Sequence, residues 1–165
     1  MTRAPLLPTL LLALGAGAIA QAGPECRPEA VGVRDVRAVA TGIIAADNER
    51  DLERVLGYYT ADAVLLPPDE SPVVGLEGIR VRYEALFSGF TPEIKAEIEE
   101  ACVSGGLGFV RGHNGGRLLG RTSGDVRMLD DAYLMLLRHE ADGVWRISHL
   151  MWHRRSGPAH GPPGE

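Results

Sequence analysis

Residues 48–87, NERDLERVLGYYTADAVLLPPDESPVVGLEGIRVRYEALF, decide the fold of this chain. Asp51 is a favourable N-cap for a short helix, which leads into an apolar strand at residues 63–66. The apolar side of that helix is predicted to carry Leu52, Val55, Leu56 and Tyr59. Two prolines stop the strand and begin a turn, and an amphipathic helix then starts at Gly75. The segment therefore predicts the order helix, strand, proline-rich turn, helix.

The flanking segments add one earlier helix and a strand-rich second half. Apolar residues recur at helical spacing from Arg34 to about Asp47, and from Ile94 the spacing changes to two, as in half-exposed antiparallel strands. The later predicted strands are residues 107–113, 131–139 and 145–154. The glycine-rich segment 114–124 is predicted to be a loop or the frayed end of a hairpin. Helices followed by a long antiparallel sheet indicate an α+β domain.

Three short motifs occur in one order along this pattern. They are Tyr59-Thr60-Ala61-Asp62-Ala63, Gly75-x3-Ile79 and Gly143-x-Trp145-x-Ile147. Together they resemble the cone-shaped fold shared by nuclear transport factor 2, SnoaL-like cyclases and ketosteroid isomerase, and most of all a SnoaL-like branch of unassigned function. The resemblance implies an α+β fold, in which three helices pack on the concave face of a curved, mostly antiparallel sheet. It also implies a homodimer.

The same resemblance argues against the chemistry of ketosteroid isomerase. That enzyme uses a Tyr on the first helix, an Asp after the first strand and an Asp on a late strand. The matching positions in this chain fall at or near Ile43, Pro67 and Met135, and none of these side chains can donate or accept the required proton. The sequence therefore predicts the fold without that mechanism.

The composition of the central part of the chain is that of one ordinary globular domain. The two ends of the chain differ from it. Residues 1–20 have a basic start, an apolar run and the pattern Ala18-Ile19-Ala20, which predict a signal peptide cleaved near Ala20 and export to the periplasm or the outside. The remaining divisions are an extended lead-in at 21–32, the cone domain at 33–155 and a disordered tail at 156–165. With a net charge of −5, the chain is not expected to bind nucleic acid, which attracts basic surfaces. No membrane span is expected after cleavage of the signal peptide.

The two cysteines, Cys26 and Cys102, leave two interpretations open. In an exported protein they can form one disulfide that ties the N-terminal segment to a strand. They can equally be two unrelated small, buried side chains.

Strand alternation groups the candidate pocket residues. If Phe109 faces the cavity, Arg111 and His113 face it too, because side chains two apart share a face of a strand. With Tyr83 on the third helix, the candidates are Tyr83, Phe109, Arg111, His113, Asp131, Tyr133, Met135, Leu150 and Trp152. One hypothesis is that Arg111 binds an acidic or carbonyl-bearing ligand while His113 transfers a proton. The alternative is a structural ion pair of Arg111 with Asp131 or Glu100.

No pattern of residues predicts a metal or a cofactor. The five histidines lack ligand spacing, since His149 and His153 would lie about 13 Å apart along a strand that rises about 3.3 Å per residue. The glycine clusters lack the strand–helix context of a phosphate loop. Asp69 and Glu70, on the turn at the cavity mouth, are the best carboxylates for a base; otherwise they form a solvated turn.

Two functional hypotheses remain at this point. The first is an exported domain that binds a small apolar or weakly acidic molecule in its cavity, with or without isomerase- or cyclase-like acid–base chemistry. The second is a non-catalytic dimerisation or protein-binding module whose cavity is filled by its own side chains. The state of the cavity separates them, because a fold alone does not determine function.

Overall fold

The computed structural model describes residues 31–155. The predicted signal peptide, nearly all of the lead-in, Cys26 and the tail lie outside these residues. Helix α1 spans Val33–Glu49 and buries one stripe of apolar side chains. The buried residues of that stripe are Val33, Val36, Val39, Ala40, Ile43, Ile44 and Ala46. The helix ends at Arg50, whose left-handed backbone (φ 57°) donates its N–H back to the carbonyls of Ala46 and Asp47.

Helix α2 spans Leu52–Gly57, and the Asp51 side chain caps it by accepting a hydrogen bond from the Arg54 N–H at 3.1 Å. Strand β1 then runs over Tyr59–Leu66. The sequence-based prediction began this strand at residue 63 and kept Tyr59 in the helix, which is wrong. Gly57 ends the helix early, and the Tyr-Tyr-Thr run that follows favours extended backbone.

The proline-rich turn leads into strand β2 at Val73–Val74 and helix α3 at Gly75–Gly89. Helix α3 buries Ile79, Tyr83 and Phe87, which recur at a spacing of four and so share one face.

The second half of the domain forms four long strands. These are β3 at Phe90–Ser104, β4 at Leu107–Gly120, β5 at Val126–His139 and β6 at Trp145–Arg154. The prediction of a loop or frayed hairpin end at 114–124 is wrong for residues 114–120, because β4 continues paired to β3 and β5 as far as Gly120, and the turn is confined to the residues between β4 and β5. The glycines make this pairing possible: a Cβ on Gly116 would lie only 2.1 Å from the Glu93 carbonyl oxygen.

The six strands form one sheet in the order β2-β1-β6-β5-β4-β3. All neighbours are antiparallel except β1 and β6, which are parallel. The three helices pack with this curved, unclosed sheet, which confirms the predicted α+β fold. None of the helices between residues 31 and 155 is long and apolar enough to span a membrane.

In addition to its pairing with β4, the edge strand β3 is bound by a side chain of helix α1. The Asn48 side chain, one residue from the end of α1, donates to the Ile94 carbonyl at 2.9 Å and accepts from the Ile94 N–H at 2.8 Å. Cys102 is 6 % exposed and disulfide-bonded, so it is not a free thiol.

Candidate functional site

The concave face of the sheet and helices α1 and α3 enclose a cavity of about 650 Å³. Most of its lining is hydrocarbon and aromatic, with a few polar groups. It is lined by Ile43, Ile44, Asp47, Leu65, Val73, Gly78, Val81, Arg82, Tyr83, Ala85, Leu86, Phe90, Ile94, Asn114, Leu118, Leu129, Asp131, Tyr133, Met135, Leu150 and Trp152. This volume and composition are typical of a small-molecule site, for which about 300–1,000 Å³ is usual.

Six of the nine predicted pocket residues line this cavity. They are Tyr83, Asp131, Tyr133, Met135, Leu150 and Trp152. Strand pairing explains the grouping, because residues opposite each other in an antiparallel ladder point to the same face. Tyr133 lies opposite Trp152, and Met135 lies opposite Leu150.

The structure places Phe109, Arg111 and His113 on the opposite, outer face of the sheet. In β4 it is Val110 and Gly112 that lie opposite the inward-facing Met135 and Tyr133, so their odd-numbered neighbours point outward. The prediction that Phe109, Arg111 and His113 share one face is correct, but the face is the wrong one.

The outward side chains of β4 meet acids of β3. Arg111 pairs with Glu99, and its Nε lies 2.6 Å from the Glu100 carboxylate. The predicted structural alternative for Arg111, a pair with Glu100, is therefore present. His113 lies 3.4 Å from Glu97 and does not line the cavity; it lines a separate depression beside the β3–β4 hairpin.

The most unusual group in the cavity is Asp47, near the C-terminal end of α1. Its residue is 7 % exposed, and its Oδ1 atom has no hydrogen-bond partner among the described residues. Burial raises the pKa of this carboxyl from 3.8 to about 8, because a buried carboxylate without a compensating charge is costly. The group therefore exchanges a proton near neutral pH, as a general acid or base does.

The sequence-based prediction missed Asp47, although the sequence contains a signal for it. Asp47 follows Ile43 by four residues and Ile44 by three, so it lies on the apolar stripe of α1. A carboxylate on the buried face of an amphipathic helix is the pattern that marks it.

Two tyrosines lie close to this carboxyl. The Tyr59 and Tyr83 hydroxyls are 3.1 Å apart, and Tyr83 lines the cavity. Burial, followed by the charge of Asp47, raises the pKa of Tyr83 well above its usual value, so its hydroxyl remains protonated. Tyr59 is 2 % exposed and does not itself line the cavity, so it contacts Tyr83 from within the core.

A second polar group of side chains lines the sheet side of the cavity. The Tyr133 hydroxyl and the Asn114 Oδ1 atom are buried without a hydrogen-bond partner among the described residues. Burial raises the pKa of Tyr133 to about 12, and it also raises the pKa of the half-buried Asp131. Unsatisfied polar atoms that face a cavity are available to a ligand, since leaving them unpaired costs free energy.

The exposed edge of the cavity carries Arg82, Glu70 and Trp152. Arg82 donates to Glu70 at 2.5 and 3.4 Å, and its guanidinium carbon lies 5.4 Å from the Trp152 ring centre. Of the two turn carboxylates predicted as bases, Glu70 is therefore occupied in an ion pair. Arg82 lowers the pKa of Glu70, so that this carboxylate is ionised and unsuited to accept a proton at neutral pH.

The positions matched to the catalytic residues of ketosteroid isomerase have no ionisable side chain. Ile43 and Met135 line the cavity with apolar side chains, and Pro67 ends β1. Within residues 31–155 no cluster of three or more His, Cys, Asp or Glu side chains is arranged to hold a metal ion.

A cone of antiparallel sheet closed by helices over such a cavity defines a nuclear-transport-factor-2-like, cystatin-like domain. An NTF2-like protein of unknown function from Pseudomonas putida KT2440 has a TM-score of 0.61 at 15 % identity, covering 79 % of this chain and 96 % of its own. An NTF2-like protein with a cystatin-like fold from Novosphingobium aromaticivorans has a TM-score of 0.59 at 16 % identity, covering 76 % and 83 %.

Within that class, the chain belongs to the SnoaL-like domain family, whose model matches residues 30–148. It is also similar to a ketosteroid isomerase-like protein from Erwinia carotovora atroseptica SCRI1043. That structure has a TM-score of 0.71 at 26 % identity, with 77 % of this chain and 98 % of the other covered. No curated protein matches the sequence.

The raised pKa of Asp47 predicts how stability depends on pH. Between 3.8 and about 8 the folded chain retains the Asp47 proton that the unfolded chain releases. This group therefore makes the free energy of unfolding fall as pH rises through that window, by up to about 1.4 kcal/mol per pH unit. Asp47→Asn should remove this contribution and be more stable than the wild type at pH 8 and above, as measured by denaturant unfolding at several pH values.

The matched control is Asp35→Asn, which changes an exposed acid in the first turn of the same helix. It should keep the wild-type dependence on pH. Parallel stability curves for the wild type and Asp47→Asn would show that Asp47 is not buried as a neutral acid.

Proposed function

We propose that this domain binds a small, largely apolar molecule in its cavity and moves a proton on it through Asp47, in isomerase- or cyclase-like chemistry carried by residues at other positions than those of ketosteroid isomerase. The observation that carries the proposal is a buried carboxyl without a partner for Oδ1, whose pKa is about 8, in an apolar cavity of about 650 Å³. A buried carboxyl without partners lowers the free energy of unfolding, and groups of this kind cluster at functional sites.

The proposed step is proton transfer at a carbon next to a ligand carbonyl. The Asp47 carboxylate takes the proton, and the C–H electron pair moves to form an enolate whose charge rests on the carbonyl oxygen. The Tyr83 hydroxyl, kept protonated by burial, donates a hydrogen bond to that oxygen. Return of the proton from Asp47 to another carbon gives an isomer and regenerates the carboxylate, so no further reactant is consumed.

The open cavity supports this proposal over the alternative of a non-catalytic module with a filled cavity. Tyr133, Met135 and Trp152 surround the space without filling it. The unpartnered Tyr133 hydroxyl and Asn114 Oδ1 add polar contacts that would orient a ligand. Neither nucleic acid nor a metal is part of the proposal.

Proton transfer can be tested with tetralone, a bicyclic ketone with an exchangeable proton next to its carbonyl. In deuterated buffer the wild-type protein should accelerate deuterium incorporation, followed by NMR. Asp47→Asn should lower the protein-catalysed rate by about 10²–10⁴-fold, the usual contribution of a general base. The wild-type rate should rise with pH and level off above about 8, where Asp47 is ionised.

Asp131→Asn is the matched control, because Asp131 is the other carboxylate among the described residues that line the cavity. It should retain most of the wild-type rate and its pH profile. Equal rates for Asp47→Asn and the wild type, or a loss confined to Asp131→Asn, would overturn the assigned role of Asp47.

We further propose that the domain is a homodimer formed through the outer face of its sheet. Leu136 and Met151 are 43 % and 47 % exposed there, beside the half-buried Leu134 opposite Met151. An apolar patch is complementary to its own copy across a two-fold axis, which is the requirement of an isologous interface.

The dimer proposal predicts that Met151→Glu will convert the protein to a monomer, because it places a charge within the apolar patch. Size-exclusion chromatography with light scattering measures the mass directly. Val144→Glu is the control, since Val144 is 45 % exposed but lies in the turn before β6. A monomeric wild type at micromolar concentration would exclude the proposed interface.

Export remains a proposal that rests on residues 1–20 alone. Expression of the full chain in an exporting host should give a protein outside the cytoplasm whose N-terminal residue lies near Gln21. Leu11→Arg, which interrupts the apolar run, should leave an uncleaved chain inside the cell. Recovery of the uncleaved wild type from the cytoplasm would contradict export; mass spectrometry distinguishes the products.

A further inference from the structure

Arg82 is the only cationic residue among the described residues that line the cavity. Its side chain is 31 % exposed, and it is held between the Glu70 carboxylate and the face of the Trp152 ring. Arg82 thus lies between solvent and the apolar interior, at the edge that we call the cavity mouth.

The contact with Glu70 shows which kind of chemical group the Arg82 guanidinium can bind. Arg82 donates through both Nη atoms to the two carboxylate oxygens of Glu70, the fork geometry that guanidinium forms with planar oxyanions. Glu70 is on the turn between β1 and β2 and is 55 % exposed. An ion pair this exposed contributes little to stability, so its replacement costs little.

From this geometry we infer that the ligand carries an anionic oxyacid group, which binds Arg82 in place of Glu70 while the apolar body enters the cavity. This inference rests on the proposed function and narrows its ligand to amphiphilic organic acids. The turn that holds Glu70 would then act as an internal competitor for the same site.

The electrostatics of the cavity favour one orientation of such a ligand. Asp47 is 7 % exposed, so an anion placed beside it would lie in a buried site and would be repelled whenever Asp47 is ionised. The positive charge in the lining is that of Arg82, which is more exposed than Asp47, and it lowers the pKa of Tyr59 and Tyr83 against the effect of burial. The anion is therefore expected at the mouth and the reacting carbon near Asp47.

Helix α3 also provides an internal comparison. Arg80, two residues before Arg82, forms an equally bidentate pair with Glu53 at 2.6 and 3.2 Å, and its side chain is 34 % exposed. This pair faces helix α2 rather than the cavity. Arg80→Gln therefore removes the same charge and the same type of ion pair from a place where no ligand is proposed.

The test uses two fluorescent probes with one ring system, anilinonaphthalenesulfonate and the uncharged phenylnaphthylamine. Energy transfer from tryptophan, to which Trp152 in the cavity wall contributes, reports binding of each probe. The wild type should bind the sulfonate at least about tenfold more tightly than the neutral probe, as expected for charge-assisted bidentate hydrogen bonds. Arg82→Gln should abolish that preference while leaving the affinity for the neutral probe within about twofold.

Two further variants make the test specific. Glu70→Gln should tighten binding of the sulfonate alone, because the competing carboxylate is removed, and Arg80→Gln should change neither affinity. Equal affinities for the two probes in the wild type, or the same loss of preference in Arg80→Gln, would overturn the inference and leave the proposed function intact. Failure of both probes to bind would instead overturn the proposed function.

Discussion

The pairing register of β4, β5 and β6 is the constraint on which the cavity depends. It sets Gly112 opposite Tyr133, and Tyr133 opposite Trp152, across three neighbouring strands. A slip of one residue between β4 and β5 that left Tyr133 facing the cavity would turn Arg111 inward as well, since the side-chain period of a strand is two. Gly112 also has to be small: a Cβ there would lie 1.9 Å from the Glu97 carbonyl oxygen and 3.0 Å from the Tyr133 hydroxyl.

Asp47, unlike the strand register, is not needed to hold the fold together, and its burial lowers the stability of the protein. An unpaired carboxyl in an apolar cavity reduces stability, and the protein limits that loss by keeping the group neutral over much of the pH range. Features of this kind are common where stability is exchanged for activity. The hydrogen-bonded pair of Tyr59 and Tyr83 and the unpartnered Tyr133 hydroxyl are also polar groups that are buried at a cost in stability.

The architecture was predictable from the sequence because its signals are local. The helical stripe of α1 and the period-two alternation after Ile94 both depend on neighbours within a few residues. The inward face of β4 was not predictable, because Gly108, Val110 and Gly112 alternate with Phe109, Arg111 and His113, and either set can face a cavity. Only the pairing with β5, about 25 residues along the chain, decides between them.

Asp47 was missed for a different reason. It falls where the predicted helix ends, and an acid at a helix terminus is usually solvated. Its position relative to Ile43 places it on the buried stripe, but the loss of its partners is visible only once the sheet is in place. The earlier start of β1 has a similar long-range component: besides the local effect of Gly57 and the Tyr-Tyr-Thr run, Tyr59 is held extended by its pairing with Ile147 of β6.

The bond between Asn48 and Ile94 has a consequence for how the molecule behaves among its copies. Strand β3 is at the edge of the sheet, where free N–H and C=O groups can template an additional strand from another chain. The Asn48 amide occupies both groups of Ile94 and so interrupts that row of free groups. At the other edge β2 is only two residues long, too short to extend the sheet. Asn48 therefore protects the chain against open-ended strand addition, the route by which sheet proteins form fibres.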